Sequence, residues 1–229
     1  MIPARWILAS ASPRRRALIQ LLGHPVEPMP VAVDEAPRPG EDPIACAVRL
    51  AEAKAQAAAR HAPEALILAA DTVVDLGGRI LGKPRDAAEA REMLQALRNA
   101  PHWVHTALVV LPPPPGRRQV EVASTRVTMR PYRDEEIEAY VASGDPFDKA
   151  GAYAIQHPTF RPAAAVTGCY AAVVGLPLCH LARALRRLGW TPPADLPERC
   201  QEALHHRCTV YPEILPPDPR GIEPSPEAG

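Results

Sequence analysis

Apolar segments of strand length alternate with helix-like segments along most of this chain, and this alternation constrains the fold more than any other feature. Residues 6–9 and 66–70 are apolar runs, and residues 104–111 and 119–129 surround a proline-rich turn; all four segments predict strands. Because strands and helices alternate without an internal repeat, we expect one α/β unit with a mixed, twisted sheet flanked by helices. The predicted helices cover residues 13–22, 43–58, 87–97, 134–142 and 178–188.

Capping and turn residues set the ends of several elements. Ser12 is a good N-cap, Pro13 suits the first helical position, and Gly23 follows the end of the same helix. The Gly77-Gly78 pair predicts a hairpin turn. We expect the apolar strand that precedes this hairpin to end at Asp71.

The alternation stops at Gly189, and the remainder of the chain is rich in proline. We therefore predict a folded unit over residues 1–189 and an extension over residues 190–229, ordered to about residue 215 and disordered beyond it. Four side chains of the extension could bind zinc, but they lack paired Cys-x-x-Cys spacing, so ordinary packing is the favoured interpretation. They are Cys200, His205, His206 and Cys208.

Charge and cysteine content narrow the class of protein. Acidic and basic residues balance at 26 each, whereas proteins that coat nucleic acid carry excess positive charge. No apolar run reaches the ~20 residues of a membrane-spanning helix, and the first residues lack a signal-peptide pattern. Five widely spaced cysteines favour a reducing compartment. We therefore predict a cytoplasmic protein with no nucleic-acid partner and no membrane association.

Hydroxyl and guanidinium groups are concentrated between the first strand and the first helix. Ser10 and Ser12 offer hydroxyls, and Arg14 and Arg15 offer positive charge. The start of a helix also presents free N–H groups, and this combination suits phosphate. A capped helix with solvated arginines explains the same residues, so this segment alone does not decide between the two interpretations.

Two acids and two lysines form a second group of candidates. Asp71 directly follows an apolar strand, a position where an acid can hold a metal ion or activate water. Glu35 is a loop acid that could provide a second metal ligand. Lys54 is the only lysine of an alanine-rich helix. Lys83 follows the predicted hairpin, which would fold it back toward Asp71. Taken singly, each of these residues is explained equally well as surface charge.

A third candidate segment covers residues 148–156. Its small residues allow the backbone to approach a ligand closely. The amide of Gln156 pairs a donor with an acceptor, which can read the edge of a base. A structural loop explains the segment nearly as well.

Six short blocks, taken together, are far more specific than any one of them. They are Ser10-x-Ser12-Pro13-Arg14-Arg15, Ala70-Asp71-Thr72-Val73-Val74, Gly82-Lys83-Pro84, Glu135-Glu136-Ile137-x-x-Tyr140, Asp148-Lys149-Ala150-Gly151-Ala152-Tyr153 and Val174-Gly175-Leu176-Pro177-Leu178. In this order, and over roughly residues 5–189, the chain resembles the Maf family.

The resemblance implies a two-lobed, Maf/ITPase-like α/β fold with a central cleft, often dimeric, that hydrolyses nucleoside triphosphates to a monophosphate and pyrophosphate. It implies that Asp71 is the general base, and that Glu35 and Asp71 hold a divalent cation such as Mg²⁺ or Mn²⁺. Lys83 belongs to the same catalytic set by similarity. The residues implied to clamp the triphosphate are Ser10, Arg15, Lys54 and Lys83.

The resemblance also bears on the base. Arg14, Thr72 and Gln156 match the branch similar to dTTP/UTP pyrophosphatases, whereas the branch that prefers 7-methyl-GTP carries Gln and Glu at the second and third positions. A neutral amide suits the O4 and N3 edge of uracil or thymine. The segment His157-Pro158-Thr159 replaces the usual Gly-x-Gly beside Gln156, so a shifted or broader base specificity is an alternative.

A regulatory protein is an alternative from a different class. Maf relatives are linked to inhibition of septum formation, and a cell-division regulator could act by binding alone. The retained Asp71, Lys83 and Glu35 favour an enzyme, because a purely binding protein would be free to lose them. We therefore expect a nucleotide-pool enzyme that removes dTTP, UTP or modified pyrimidine nucleotides.

Overall fold

The computed structural model describes residues 3–216, and within them a seven-stranded sheet is flanked by eight α-helices. The strands are β1 Trp6–Leu8, β2 Glu27–Pro28, β3 Leu66–Leu76, β4 Arg79–Leu81, β5 Pro101–Leu111, β6 Gln119–Met129 and β7 Ala163–Thr167. The helices are α1 Pro13–Ile19, α2 Pro43–Ala59, α3 Ala87–Leu97, α4 Asp134–Ala142, α5 Tyr170–Val174, α6 Leu178–Arg187, α7 Leu196–Leu204 and α8 Tyr211–Ile214. The predicted α/β class is confirmed.

The sheet is mixed, as predicted, and its strand order is β2-β1-β3-β5-β6-β7, with β4 also paired to β3. Strand β1 runs parallel to β2 and β3, and the other pairs are antiparallel. The pairing of β1 with β3 ends at Leu68, and the pairing of β4 with the same edge of β3 begins at Val74. Residues 69–73 therefore have a strand partner only on the β5 side, which leaves a gap in the sheet.

The prediction that the strand ends at Asp71 was wrong, because β3 continues through it to Leu76. Asp71 pairs with Ala107 of β5, and the antiparallel ladder continues on both sides of that pair. A polar side chain does not end a strand when its backbone is still paired, because the carboxylate can leave the sheet surface on one face. The acid thus lies in the middle of a long strand, beside the gap.

Three apolar clusters give the molecule two lobes. On one face of the sheet, α2 packs through small residues such as Ala47, Ala51 and Ala58, which let the helix lie close to the strands. On the other face, α1, α5, α6 and α7 cover the same half of the sheet. A separate cluster joins α3 and α4 to the far ends of β5 and β6. The gap in the sheet, beside residues 69–73 of β3, lies where the two lobes meet.

We call the lobe that contains α1 and α2 the first lobe and the lobe that contains α3 and α4 the second lobe. The described part of the extension packs on the first lobe. Leu196, Leu204 and Leu215 belong to the same apolar cluster as Trp6. The rings of Trp190 and Trp6 pack edge to face, with their centroids 5.2 Å apart. The disorder predicted near the end of the chain concerns residues 217–229, outside the described residues. The division of the chain at residue 189 stays a prediction.

The four side chains of the zinc alternative are not grouped as metal ligands in the described residues. Across residues 3–216, no three His, Cys, Asp or Glu side chains are grouped so that they could hold a metal ion. Cys200 is buried in the apolar cluster, and His206 stacks on Tyr170 with ring centroids 4.3 Å apart. None of the helices in the same range is long and apolar enough to cross a membrane.

Candidate active site

A cleft of about 810 Å³ opens at the gap in the sheet. Its walls come from both lobes, and its volume falls in the range of small-molecule sites. The structure brings all nine residues proposed from the sequence to this cleft. They are Ser10, Arg14, Arg15, Glu35, Lys54, Asp71, Thr72, Lys83 and Gln156.

One end of the cleft is an alternating row of two acids and two lysines. Lys54 lies on the sheet-facing side of α2, and its Nζ is 2.5 Å from Asp71 Oδ1 and 2.6 Å from Glu35 Oε1. Lys83 Nζ is 2.6 Å from Glu35 Oε2. Lys83 thus pairs with Glu35, although the hairpin predicted a position near Asp71. We call these four residues the charged end.

The loop that carries Glu35 is tied to α2. Arg49 donates to both carboxylate oxygens of Glu41 at 2.6 and 2.7 Å and to the carbonyl of Ala36 at 3.1 Å. Burial alone would raise the pKa of Glu35, but hydrogen bonds from Lys54 and Lys83 outweigh it and lower the pKa to about 2. Glu35 is therefore ionised at neutral pH.

Glu35 and Asp71 fit a divalent cation. Their carboxylate oxygens converge on one point, where the Lys54 ammonium already lies. Mg²⁺ is commonly bound by one or two carboxylates together with phosphate oxygens and water, so two protein ligands suffice. Residues 3–216 hold no group of three or more such side chains placed for a metal ion, so phosphate and water would have to complete the coordination.

The part of the cleft around Thr72, the residue that follows Asp71 on β3, is held by hydrogen bonds rather than ion pairs. Arg15 donates from Nε to the carbonyl of Gly175 at 2.8 Å and from Nη2 to the hydroxyl of Thr72 at 3.0 Å. Burial lowers the pKa of Arg15, and the charges of Asp71 and Glu35 partly oppose this. We call Arg15, Thr72 and Gly175, with the residues bonded to them, the neutral end.

Gly175 is required for this arrangement. Its φ of 119° lies in the left-handed region, and a Cβ there would come within 3.3 Å of Arg15 Nε and 3.6 Å of Thr72 Oγ1. An alanine there would strain the backbone and crowd the Arg15 side chain, whereas its contact with Thr72 would be an ordinary van der Waals contact.

The two adjacent arginines have different surroundings. Whereas Arg15 is fixed to the neutral end, Arg14 Nη1 lies 3.6 Å from a carboxylate oxygen of Asp148, which belongs to the second lobe. Gln156 is exposed at the cleft, with no side-chain hydrogen bond to another residue in the range 3–216. Both side chains can therefore turn to a ligand without breaking a buried contact.

Sequence reasoning assigned no role to Lys149, which also lines the cleft. Its Nζ bonds to the carbonyl of Asp145 and, at 2.5 Å, to the carboxylate of Asp148. A signal was present: the chain has 26 basic residues but only three lysines, and all three line this cleft. Each of the three therefore presents a compact ammonium, rather than a planar guanidinium, to the cleft.

These features define an α/β protein with a two-lobed cleft lined by arginine, lysine and carboxylate side chains. A model of the family described as Maf-like protein matches residues 5–188. The chain belongs to the Maf family.

Curated relatives are similar over most of their own length. A dTTP/UTP pyrophosphatase of Citrifermentans bemidjiense is 46% identical over 183 residues, covering 80% of this chain and 95% of the relative. A dTTP/UTP pyrophosphatase of Thermomicrobium roseum is 45% identical over 208 residues, which cover 90% of this chain and 94% of the relative. A dTTP/UTP pyrophosphatase of Anaeromyxobacter dehalogenans is 46% identical over 201 residues, which cover 84% of this chain and 98% of the relative.

Proposed function

We propose that this protein is a nucleoside triphosphate pyrophosphatase that hydrolyses the α–β phosphate bond of dTTP, UTP and modified pyrimidine nucleotides. The observation that carries the proposal is the charged end, where Asp71 and Glu35 share the ammonium of Lys54 within a nucleotide-sized cleft. The names of relatives that are 45–46% identical support it.

The chemistry follows from what each side chain can do. Asp71 takes a proton from water as the water oxygen bonds to the α-phosphorus; the bond to the bridging oxygen breaks, and pyrophosphate leaves. Lys54 and Lys83 turn from the carboxylates to the phosphates and balance their charge. The hydroxyl of Ser10 and the guanidinium of Arg15 help to position the chain of phosphates. A divalent cation held by Glu35 and Asp71 supplies further charge neutralisation and a more acidic water.

Base recognition belongs to Arg14, Thr72 and Gln156 in this proposal. The unusual segment after Gln156 is held to the second lobe: the His157 ring packs on Tyr140, with centroids 4.8 Å apart, and its Nδ1 accepts from Phe160 N–H. This anchoring supports a fixed position for the segment beside the base. A broader base range stays the alternative.

Pyrophosphate release by the full chain, with Mg²⁺ or Mn²⁺, tests the proposal across dTTP, UTP, CTP, GTP and 7-methyl-GTP. We expect dTTP and UTP to be preferred and Asp71→Asn to lower turnover by about 10³-fold, the scale of a lost general base. Asp75→Asn is the matched control, because Asp75 lies on the same strand but outside the cleft lining. Turnover of none of these nucleotides would refute the enzyme and favour the regulatory alternative.

The homodimer and the cytoplasmic location stay predictions. All five cysteines are free thiols, which agrees with a reducing compartment. Light scattering of the full chain tests the homodimer.

A further inference from the structure

A chain of hydroxyl groups runs from the cleft into the interior of the sheet. Thr106 on β5 is fully buried and lies directly opposite Thr72 on β3. Its Oγ1 is 2.7 Å from the carbonyl oxygen of Ala172 and 2.9 Å from Thr72 Oγ1. Because a carbonyl oxygen can only accept, the single proton of Thr106 is directed to Ala172.

The direction of the next bond follows. With its own proton engaged, Thr106 can only accept from Thr72, so the Thr72 hydroxyl donates inward. Arg15 Nη2 donates to the same Thr72 oxygen at 3.0 Å. A hydroxyl has one proton and two lone pairs, so only a lone pair of Thr72 is left for a ligand in the cleft.

We propose that Thr106 is a positioning residue that keeps the Thr72 hydroxyl a hydrogen-bond acceptor toward the cleft, which selects a pyrimidine with an N3–H donor. Uracil and thymine carry this donor, whereas N3 of cytosine is an acceptor and would face the lone pair of Thr72. The inference rests on the proposed function and adds to it a reason for rejecting CTP.

The surrounding structure keeps the chain of hydroxyls closed. Ala172 lies in α5, and Gly175, at the end of the same helix, holds Arg15 through its carbonyl. One short helix therefore anchors both partners of Thr72. Rotation of the Thr72 hydroxyl toward the cleft would leave a buried group without its partner, and such a loss is unfavourable.

The test compares kcat/KM for UTP and CTP in the wild-type protein, Thr106→Val and Thr106→Ser. Valine keeps the shape of threonine but cannot accept the Thr72 proton, which then becomes available to N3 of cytosine. We expect the UTP-to-CTP ratio to fall by about tenfold or more in Thr106→Val, with CTP turnover rising. Thr106→Ser retains the hydroxyl and should keep the wild-type ratio.

A failure of this inference can be distinguished from a failure of the proposed function. A loss of both activities in proportion, in a folded Thr106→Val protein, would show only a structural role for Thr106 and overturn the inference. Absence of pyrimidine turnover in the wild type would overturn the proposed function itself. A measurement without a variant guards against misfolding: wild-type protein should hydrolyse N3-methyl-UTP about 10²-fold less efficiently than UTP, and equal rates would contradict the inference.

Discussion

The two ends of the cleft are held together by different interactions. At the charged end, Asp71, Lys54, Glu35 and Lys83 form ion pairs, and the Glu35 and Lys83 side chains are 40% and 53% exposed. At the neutral end, every hydroxyl and guanidinium bond has a direction, and the bonds end on carbonyls of the buried first lobe. The exposed Lys83–Glu35 pair can exchange partners easily, and the buried Lys54–Asp71 pair, with both side chains 9% exposed, can exchange when another charge replaces the lost partner. The neutral end cannot exchange partners without leaving a buried group unsatisfied.

This difference indicates a division of work. The exposed ion pair of Lys83 and Glu35 contributes little to stability and rearranges easily, which suits groups that must turn to the phosphates of each incoming nucleotide. The buried ammonium of Lys54 can leave Asp71 when a phosphate or a cation takes over the lost interaction. Buried directional hydrogen bonds are unfavourable to break, which suits a surface that must present the same acceptor each time. Chemistry and selectivity therefore lie in parts of the cleft with different rigidity.

The largest effect is predicted for a variant that removes the Lys54 ammonium from the centre of the charged end. Lys54→Met should lower UTP turnover by about 10³-fold, because a buried ammonium that would otherwise balance phosphate charge is lost. It should also raise the affinity of the nucleotide-free protein for Mn²⁺ by about tenfold, or ~1.4 kcal/mol, since the ammonium no longer competes for Asp71 and Glu35. Steady-state kinetics and titration calorimetry with Mn²⁺ measure the two effects.

Lys83→Met is the control for this prediction. Lys83 contacts only the outer oxygen of Glu35 and is far more exposed than Lys54, so the gain in Mn²⁺ affinity should be smaller. Equal Mn²⁺ affinity in the wild type and Lys54→Met would contradict the idea that the ammonium occupies the cation position.

A smaller effect is predicted when the neutral end is disturbed. Gly175→Ala should lower kcat/KM for UTP by about ten- to a hundredfold, because the new Cβ crowds Arg15, which bonds to Thr72, and strains the backbone by ~1–3 kcal/mol. Gly189→Ala is the matched control: its φ of 89° is also left-handed, but a Cβ there meets no atom within 4 Å. Kinetics with UTP and thermal unfolding of both variants measure the outcome.

Both variants should lose comparable stability, and only Gly175→Ala should lose activity. Similar activity in the two would mean that the close approach of Gly175 to Arg15 has no functional role. The neutral end would then be no more rigid than the charged end, and the contrast between them would fail.

The sequence predicted the membership of the site better than its internal contacts. Periodicity and capping located β3, α2 and α6, and all nine proposed residues line one cleft. The roles of Arg14 and Arg15 could not be separated, because adjacent residues of a helix point in different directions and only packing against Gly175 shows which one is fixed.

Features that depend on long-range contacts were also absent from the prediction. Thr106 is one of several small residues within an apolar strand, and nothing in its neighbours along the chain indicates the bond to Ala172. Strand β7 has an alanine-rich sequence without a strong strand pattern, and it forms by pairing with β6. Whether such a segment forms a strand depends on the strand with which it pairs, and its own sequence does not show this.

The smallest predicted effect concerns the loss of stability at acidic pH. We expect this loss to come from buried histidines outside the cleft rather than from the charged end. The pKa of Glu35 is lowered to about 2, so its contribution to stability is present above its ordinary range and is lost only as the pH falls toward 2. Burial lowers the pKa of His102 and His180 to about 4. The unfolded chain binds protons at these histidines from about pH 6.5, so the free energy of unfolding should fall between pH 6.5 and 4.

His180→Leu tests this assignment by urea unfolding at pH 7.5, 6 and 5. Removing one buried histidine should reduce the pH dependence of the free energy of unfolding by up to about 1.4 kcal/mol per pH unit in this window. His61→Gln is the control, because the His61 side chain is exposed to solvent. If the free energy of unfolding of His180→Leu depended on pH as steeply as that of the wild type, groups other than His180 would cause the acid sensitivity. If the slope instead followed Glu35→Gln, the charged end would contribute to the stability of the fold, and its ion pairs would not be the freely exchanging contacts that distinguish it from the neutral end.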